Sequence, residues 1–173
     1  MRLLREESGF TLPELMIYLT IMLVLMAGLG TMFTTGQQAN SNASATMASQ
    51  SNLLVALNRI EYEGRCASQA GIVSSGAGVT LTLPSYCVNA SGTYTWCVTG
   101  GSLTKFTGSA CSGTGVTFAT GVTSPTPFSC INGGRFPRLQ VALTANSGTT
   151  SGTAATGTTT ITLRNATLSV ACA

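Results

Sequence analysis

The residues able to do chemistry in this chain are few. There is no histidine among the 173 residues and no aspartate; the acidic side chains are Glu6, Glu7, Glu14, Glu61 and Glu63. Without histidine or aspartate, neither a Ser-His-Asp nor a Cys-His arrangement can be built. Glu61 and Glu63 stand two apart in a helical stretch, so their side chains do not face each other and make a poor acid/base pair. No nucleophile elbow, phosphate-binding loop or dinucleotide fingerprint is present. The chain therefore reads as a non-enzyme that needs no cofactor.

Six cysteines remain: Cys66, Cys87, Cys97, Cys111, Cys130 and Cys172. None forms a C-x-x-C pair, and no histidine is available to complete a zinc site. An even number of cysteines behind an apolar amino-terminal segment points to disulfides in an oxidising compartment. Cys66 follows Arg65, which could activate a thiol, but a disulfide is the stronger expectation. Sequence alone does not choose the pairing.

Glu14 is the carboxylate that asks for an explanation. Arg2 and Arg5 precede it, and no further Lys or Arg occurs until Arg59, which places the amino terminus in the cytoplasm by the positive-inside rule. Residues 10–33 carry only this one charge. As a helix they would span roughly 36 Å, enough to cross a bilayer. A charge in such a segment costs about 2.5–3.5 kcal/mol at the helix centre, less near an end, and normally has a partner. A secretory signal has a shorter apolar core, although Ala43-Ser44-Ala45 offers a cleavage-like site. A plain signal anchor explains the length but not Glu14.

The stretch Gly9-Phe10-Thr11-Leu12-Pro13-Glu14-Leu15 resembles the processing site of type IV prepilins and of the related pseudopilins of type II secretion. The resemblance implies cleavage between Gly9 and Phe10 by a membrane-embedded prepilin peptidase, and N-methylation of Phe10. It also implies that Glu14, fifth after the cut, pairs with the terminal amine of a neighbouring subunit. Pairing offsets the cost of two buried charges, and a carboxylate in the first helical turn is favoured by the helix dipole. Pro13 falls in that same turn, where its missing N–H is harmless. The partners implied are other pilin or pseudopilin subunits, the prepilin peptidase and methyltransferase, an inner-membrane assembly platform, and lipid before assembly. The final location would be an extracellular or periplasmic filament.

The elements that must carry this site follow from periodicity. One long helix is expected from about Leu12 to about Glu63, stopped by Gly64. Met47, Leu54, Leu57 and Glu61 form a stripe with Leu53 and Ile60 beside it, and Leu53, Leu54, Leu57 and Ile60 are expected in the core. The polar tract 36–52 carries the weakest helical signal of that run and leaves partial unwinding open. Gly28 and Gly30 fit either close packing of helices in the membrane or a helix that bends on assembly. Arg59, Glu61, Glu63 and Arg65 read as a solvated helix end with local ion pairs.

Beyond Gly64 the alternation of apolar residues and threonine predicts strands at 79–83, 94–98, 103–106, 116–119, 138–144 and 158–164, with a hairpin at Gly100-Gly101. Tyr94 and Trp96 are expected in the sheet core, and Asn146–Gly157 as a mobile loop. Arg135 and Arg138 flank Phe136-Pro137; a solvated loop is favoured there over a contact with DNA. The organisation expected is a leader (1–9), a membrane and filament-core half-helix (10–33), a second half-helix packed on the head (34–64) and a Ser/Thr/Gly-rich β domain (65–173). The fold class is α+β, a long helix on an antiparallel sheet.

That layout, ending in Leu163-Arg164-Asn165, is similar to minor pilins and pseudopilins of the PulJ and PilW kind. It implies a minor structural subunit of a pilus or pseudopilus. The alternatives are a filament-tip subunit that binds DNA or a surface ligand, and a signal-anchored β domain unrelated to pili. A net charge of +3 is too small and scattered to argue for nucleic acid.

Overall fold

The fold is seen in a computed structural model, which describes residues 11–87, 91–131, 136–146 and 154–165. The described residues form one α-helix, α1 (Leu12–Cys66), and eight strands: β1 (Gln69–Val73), followed by a 3-10 turn at Ser74–Gly76, β2 (Gly78–Leu83), β3 (Gly92–Thr99), β4 (Ser102–Thr107), β5 (Gly115–Thr120), β6 (Phe128–Ile131), β7 (Arg138–Ala145) and β8 (Ala155–Thr162). All pairings are antiparallel. Strands β1 to β5 form a meander in sequence order, and β6, β7 and β8 form a second sheet. The result is the α+β, pilin-like architecture expected from the sequence.

The chain divides into two compact units, Met1–Ser41 and Asn42–Ala173. In the first, the described residues from Leu12 onward form helix, and every described side chain is exposed. This is the one helix among the described residues long and apolar enough to cross a membrane. The helix begins at Thr11, whose carbonyl accepts from the N–H groups of Glu14 at 3.0 Å and Leu15 at 3.2 Å.

The polar tract 36–52 is helical throughout, within the single long helix expected from the sequence. Its hydroxyl groups do not compete with the helix ladder. Thr46 instead donates to the carbonyl of Asn42 one turn back at 2.9 Å, as Thr35 just before the tract does to Thr31 at 2.8 Å, and no proline interrupts the run. Gly64 does not end the helix either. It lies inside the last turn, buried, at the point where α1 meets β8: a Cβ on Gly64 would come within 3.0 Å of the Ile161 side chain.

In the second unit, the end of the helix lies between the two sheets. One side follows β8. Leu53 and Leu57 sit over Gly157, Glu61 reaches the Thr159 hydroxyl at 3.5 Å, and Gly64 meets Ile161. Four helix residues rise about 6 Å and two strand residues about 6.7 Å, so successive turns stay in step with alternate strand positions. Leu53, Ala56, Leu57 and Ile60 are buried, but Leu54 is 58% exposed and Met47 is exposed as well. The buried stripe is thus rotated from the expected one, because it is set by two sheets rather than one.

The core is filled from the meander by Val79, Leu81, Trp96 and Leu103, and from the second sheet by Leu139, Val141, Leu143 and Ile161. Trp96 is fully buried as expected, and Tyr94 packs beside the core. The hairpin at Gly100-Gly101 is present. Both glycines have positive φ (57° and 74°), which a two-residue turn matching the twist of its strands requires. The opposite face of the meander carries threonine ladders, including a hydroxyl contact between Thr80 and Thr95 at 3.1 Å.

Two strands exceed the expectation. β1 is short, with Gly71 at its centre, and is held as a strand by pairing with β2. β6 follows Pro127 and pairs with β7 through four residues. Residues Ala155 to Gly157, expected in the loop, belong to β8, where Gly157 lies opposite Leu143. The strand ends at Thr162. The remainder of the expected loop, 147–153, and the turn at 132–134 lie outside the described residues.

Candidate functional site: two carboxylates on one helix

Glu14 stands in the first turn of α1, on the exposed segment. Its side chain has no partner among the described residues. Around it are Leu12, Leu15, Met16, Ile17 and Tyr18, all exposed by half or more. The result is a lone carboxylate in an apolar surface at the end of the helix where the dipole favours negative charge. Gly9 and Phe10, the residues expected to be cut and methylated, lie outside the described residues.

Glu63, on the same helix, has the opposite environment. It is 2% exposed. Its Oε1 accepts from Lys105 Nζ at 2.6 Å and from Arg59 Nε at 2.8 Å, and its Oε2 accepts from the Trp96 indole N–H at 3.0 Å. Lys105 is itself mostly buried, at 12% side-chain exposure, with its ammonium 4.0 Å from the centre of the Tyr94 ring. The expectation of a solvated helix end is therefore corrected for Glu63. It holds better for the Glu61–Arg65 pair, whose side chains are 30% and 67% exposed. Positions 61 and 63 differ by about 200° around the helix. Glu61 consequently faces Thr159 on the second sheet, while Glu63 faces Trp96 and Lys105 on the meander.

A buried charge is tolerated only when paired and hydrogen-bonded. Glu63 meets that condition through groups from α1, β3 and β4 at once. Because sliding of the helix would break the contacts to Trp96 and Lys105, the network fixes the register of the helix on the sheet.

Four of the six cysteines form two bridges among the described residues. Cys66–Cys87 ties the last residue of α1 to the loop after β2, with the Cα atoms 6.1 Å apart. Cys97–Cys111 ties β3 to the segment after β4, at 5.7 Å. Cys130 is also disulfide-bonded, and Cys172 lies outside the described residues. Arg65 next to Cys66 therefore activates no thiol. Arg138 begins β7, while Arg135 is outside the described residues.

No curated protein and no solved structure matches the chain. Residues 4–30, which include Gly9, Phe10 and Glu14, match the family profile described as the prokaryotic N-terminal methylation motif, and this match supports a type IV pilin-like precursor anchored by its amino-terminal helix.

Proposed function

We propose that the chain is a structural subunit, and a minor one, of a type IV pilus or pseudopilus. The observation that carries this reading is the methylation motif at 4–30 running directly into α1. That helix is exposed and apolar in its first part and packed on sheets in its last. A simple anchor needs the first part only; a filament subunit needs a helix continuous with its head.

In this reading the leader 1–9 is removed by prepilin peptidase after Gly9, and Phe10 becomes the methylated terminus. Before assembly the subunit crosses the membrane once, with its amino terminus cytoplasmic. On assembly the helix leaves lipid for an equally apolar bundle of helices, so burial of apolar surface provides little drive. Specific pairing must provide the register, and Glu14 with a neighbour's terminal amine is the pair available. An assembly platform in the inner membrane supplies the work.

The minor role is supported by the layout of the head and by its charge. Between residues 42 and 173 the sequence has Arg59, Arg65, Lys105, Arg135, Arg138 and Arg164 against only Glu61 and Glu63. Heads of one sign repeated along a filament repel within a Debye length of about 8–10 Å.

Incubating the full-length precursor in membranes with prepilin peptidase tests the reading. The wild-type chain is expected to be cut after Gly9 and the Gly9→Leu chain to stay intact. A wild-type chain that the enzyme leaves uncut, or cuts elsewhere, contradicts it.

A further inference from the structure

The helix does not cover the whole of the meander. On the face that carries Trp96 and Lys105, strands β4 and β5 continue past Arg59 and leave a groove of about 560 Å³. Its walls are Tyr94, Val116 and Phe118, and its cations are Arg59 and Lys105. Val116, directly opposite Lys105 in the strand register, is 63% exposed. Among the described residues β5 is the last strand of its sheet, the position at which an extended segment can add by strand pairing.

The charges in this groove do not balance. Arg59 and Lys105 both donate to the same oxygen, Glu63 Oε1. Arg59 contacts that oxygen through its Nε–H; its side chain is 40% exposed and lines the groove. The other side-chain carboxylate of the head, Glu61, is engaged by Arg65 and Thr159.

We infer that this groove receives an acidic segment, flanked by apolar residues, from a different subunit of the filament. The apolar walls favour a side chain over a hydrated ion, the two cations favour a carboxylate, and the free strand edge favours an extended peptide. A second copy of this chain fits poorly, since both side-chain carboxylates of its head are already bound within its own fold. The inference rests on the filament-subunit reading above.

A photoreactive amino acid placed at position 116 of the full-length chain, expressed in its own cells, tests it, with the same probe at exposed Tyr86 as control. The expected result is an adduct from position 116 with a distinct filament subunit, attached at a peptide containing glutamate or aspartate. Its yield should fall about tenfold with Arg59→Gln, and likewise with Thr114→Glu, which adds a negative charge at the exposed rim without touching the Glu63 network. An adduct only with a second copy, an adduct insensitive to both substitutions, or a yield no higher than from position 86 overturns the inference. The methylation state of Phe10 in the same sample separates the two readings. A methylated chain without the adduct overturns the groove alone, whereas an unmethylated chain without it overturns the filament reading and the groove together.

Discussion

The two ends of α1 put the same side chain in opposite settings. Glu14 lies in an exposed apolar surface with no partner among the described residues, and Glu63 is buried with three. The helix is regular at both places, so secondary structure does not explain the difference. Residues 12–41 form a helix whose side chains are all exposed among the described residues, whereas the residues from Leu53 to Gly64 meet two sheets. The comparison separates two uses of a charged group in apolar surroundings. Glu63 is completed by its own fold and serves to hold it. In the filament reading proposed above, Glu14 is completed by another molecule and so serves assembly.

Substitutions at the two positions should therefore fail in different assays. The largest effect is expected at Glu14. Glu14→Leu should abolish recovery of the chain in filaments while leaving the unfolding midpoint of the head unchanged within about 0.5 kcal/mol; normal recovery would break the comparison. Next is Glu63→Ala, which strands the buried Lys105 ammonium and should cost about 3–5 kcal/mol. Trp96 is the only tryptophan and donates to Glu63, so its fluorescence in a denaturant titration reports the loss directly.

Smaller effects sharpen the account of how the helix sits on the sheets. Leu57→Ala should cost about 2–4 kcal/mol, since Leu57 is buried over Gly157. Leu54→Ala, three residues earlier, should cost less than about 0.5 kcal/mol. Equal costs for the two would mean that the buried stripe is the one read from periodicity rather than the rotated one. Smallest is Gly64→Ala. It gains about 1 kcal/mol of helix propensity but pushes a methyl group against Ile161, so a net change within about 1 kcal/mol is expected from the same titration.

Much of this was legible in the residues themselves. The Gly9-to-Glu14 spacing pointed to the methylation motif, and the alternation of threonine with apolar residues located six of the eight strands. The hairpin followed from Gly100-Gly101. Glu63 was misread because a charged residue at a helix end usually faces water, and its Lys105 partner lies 42 residues away. A signal did exist. The three- and four-residue steps that bury Ala56 and Ile60 arrive next at Glu63 and Gly64. Gly64 was misread for a related reason: glycine ends helices when its neighbourhood is open, but here Ile161 of a distant strand occupies the space a side chain would need. β1 and β6 carry too little pattern of their own and exist through their partners.

In the function proposed above, this chain is matured for filament assembly by cleavage between Gly9 and Phe10. The most direct test is the mass of the amino-terminal peptide of the protein isolated from its own cells. The expected result is a chain that begins at Phe10 and carries a methyl group on its terminal nitrogen. A terminus at the intact Met1, or one near Thr46 after the Ala43-Ser44-Ala45 site, would contradict it.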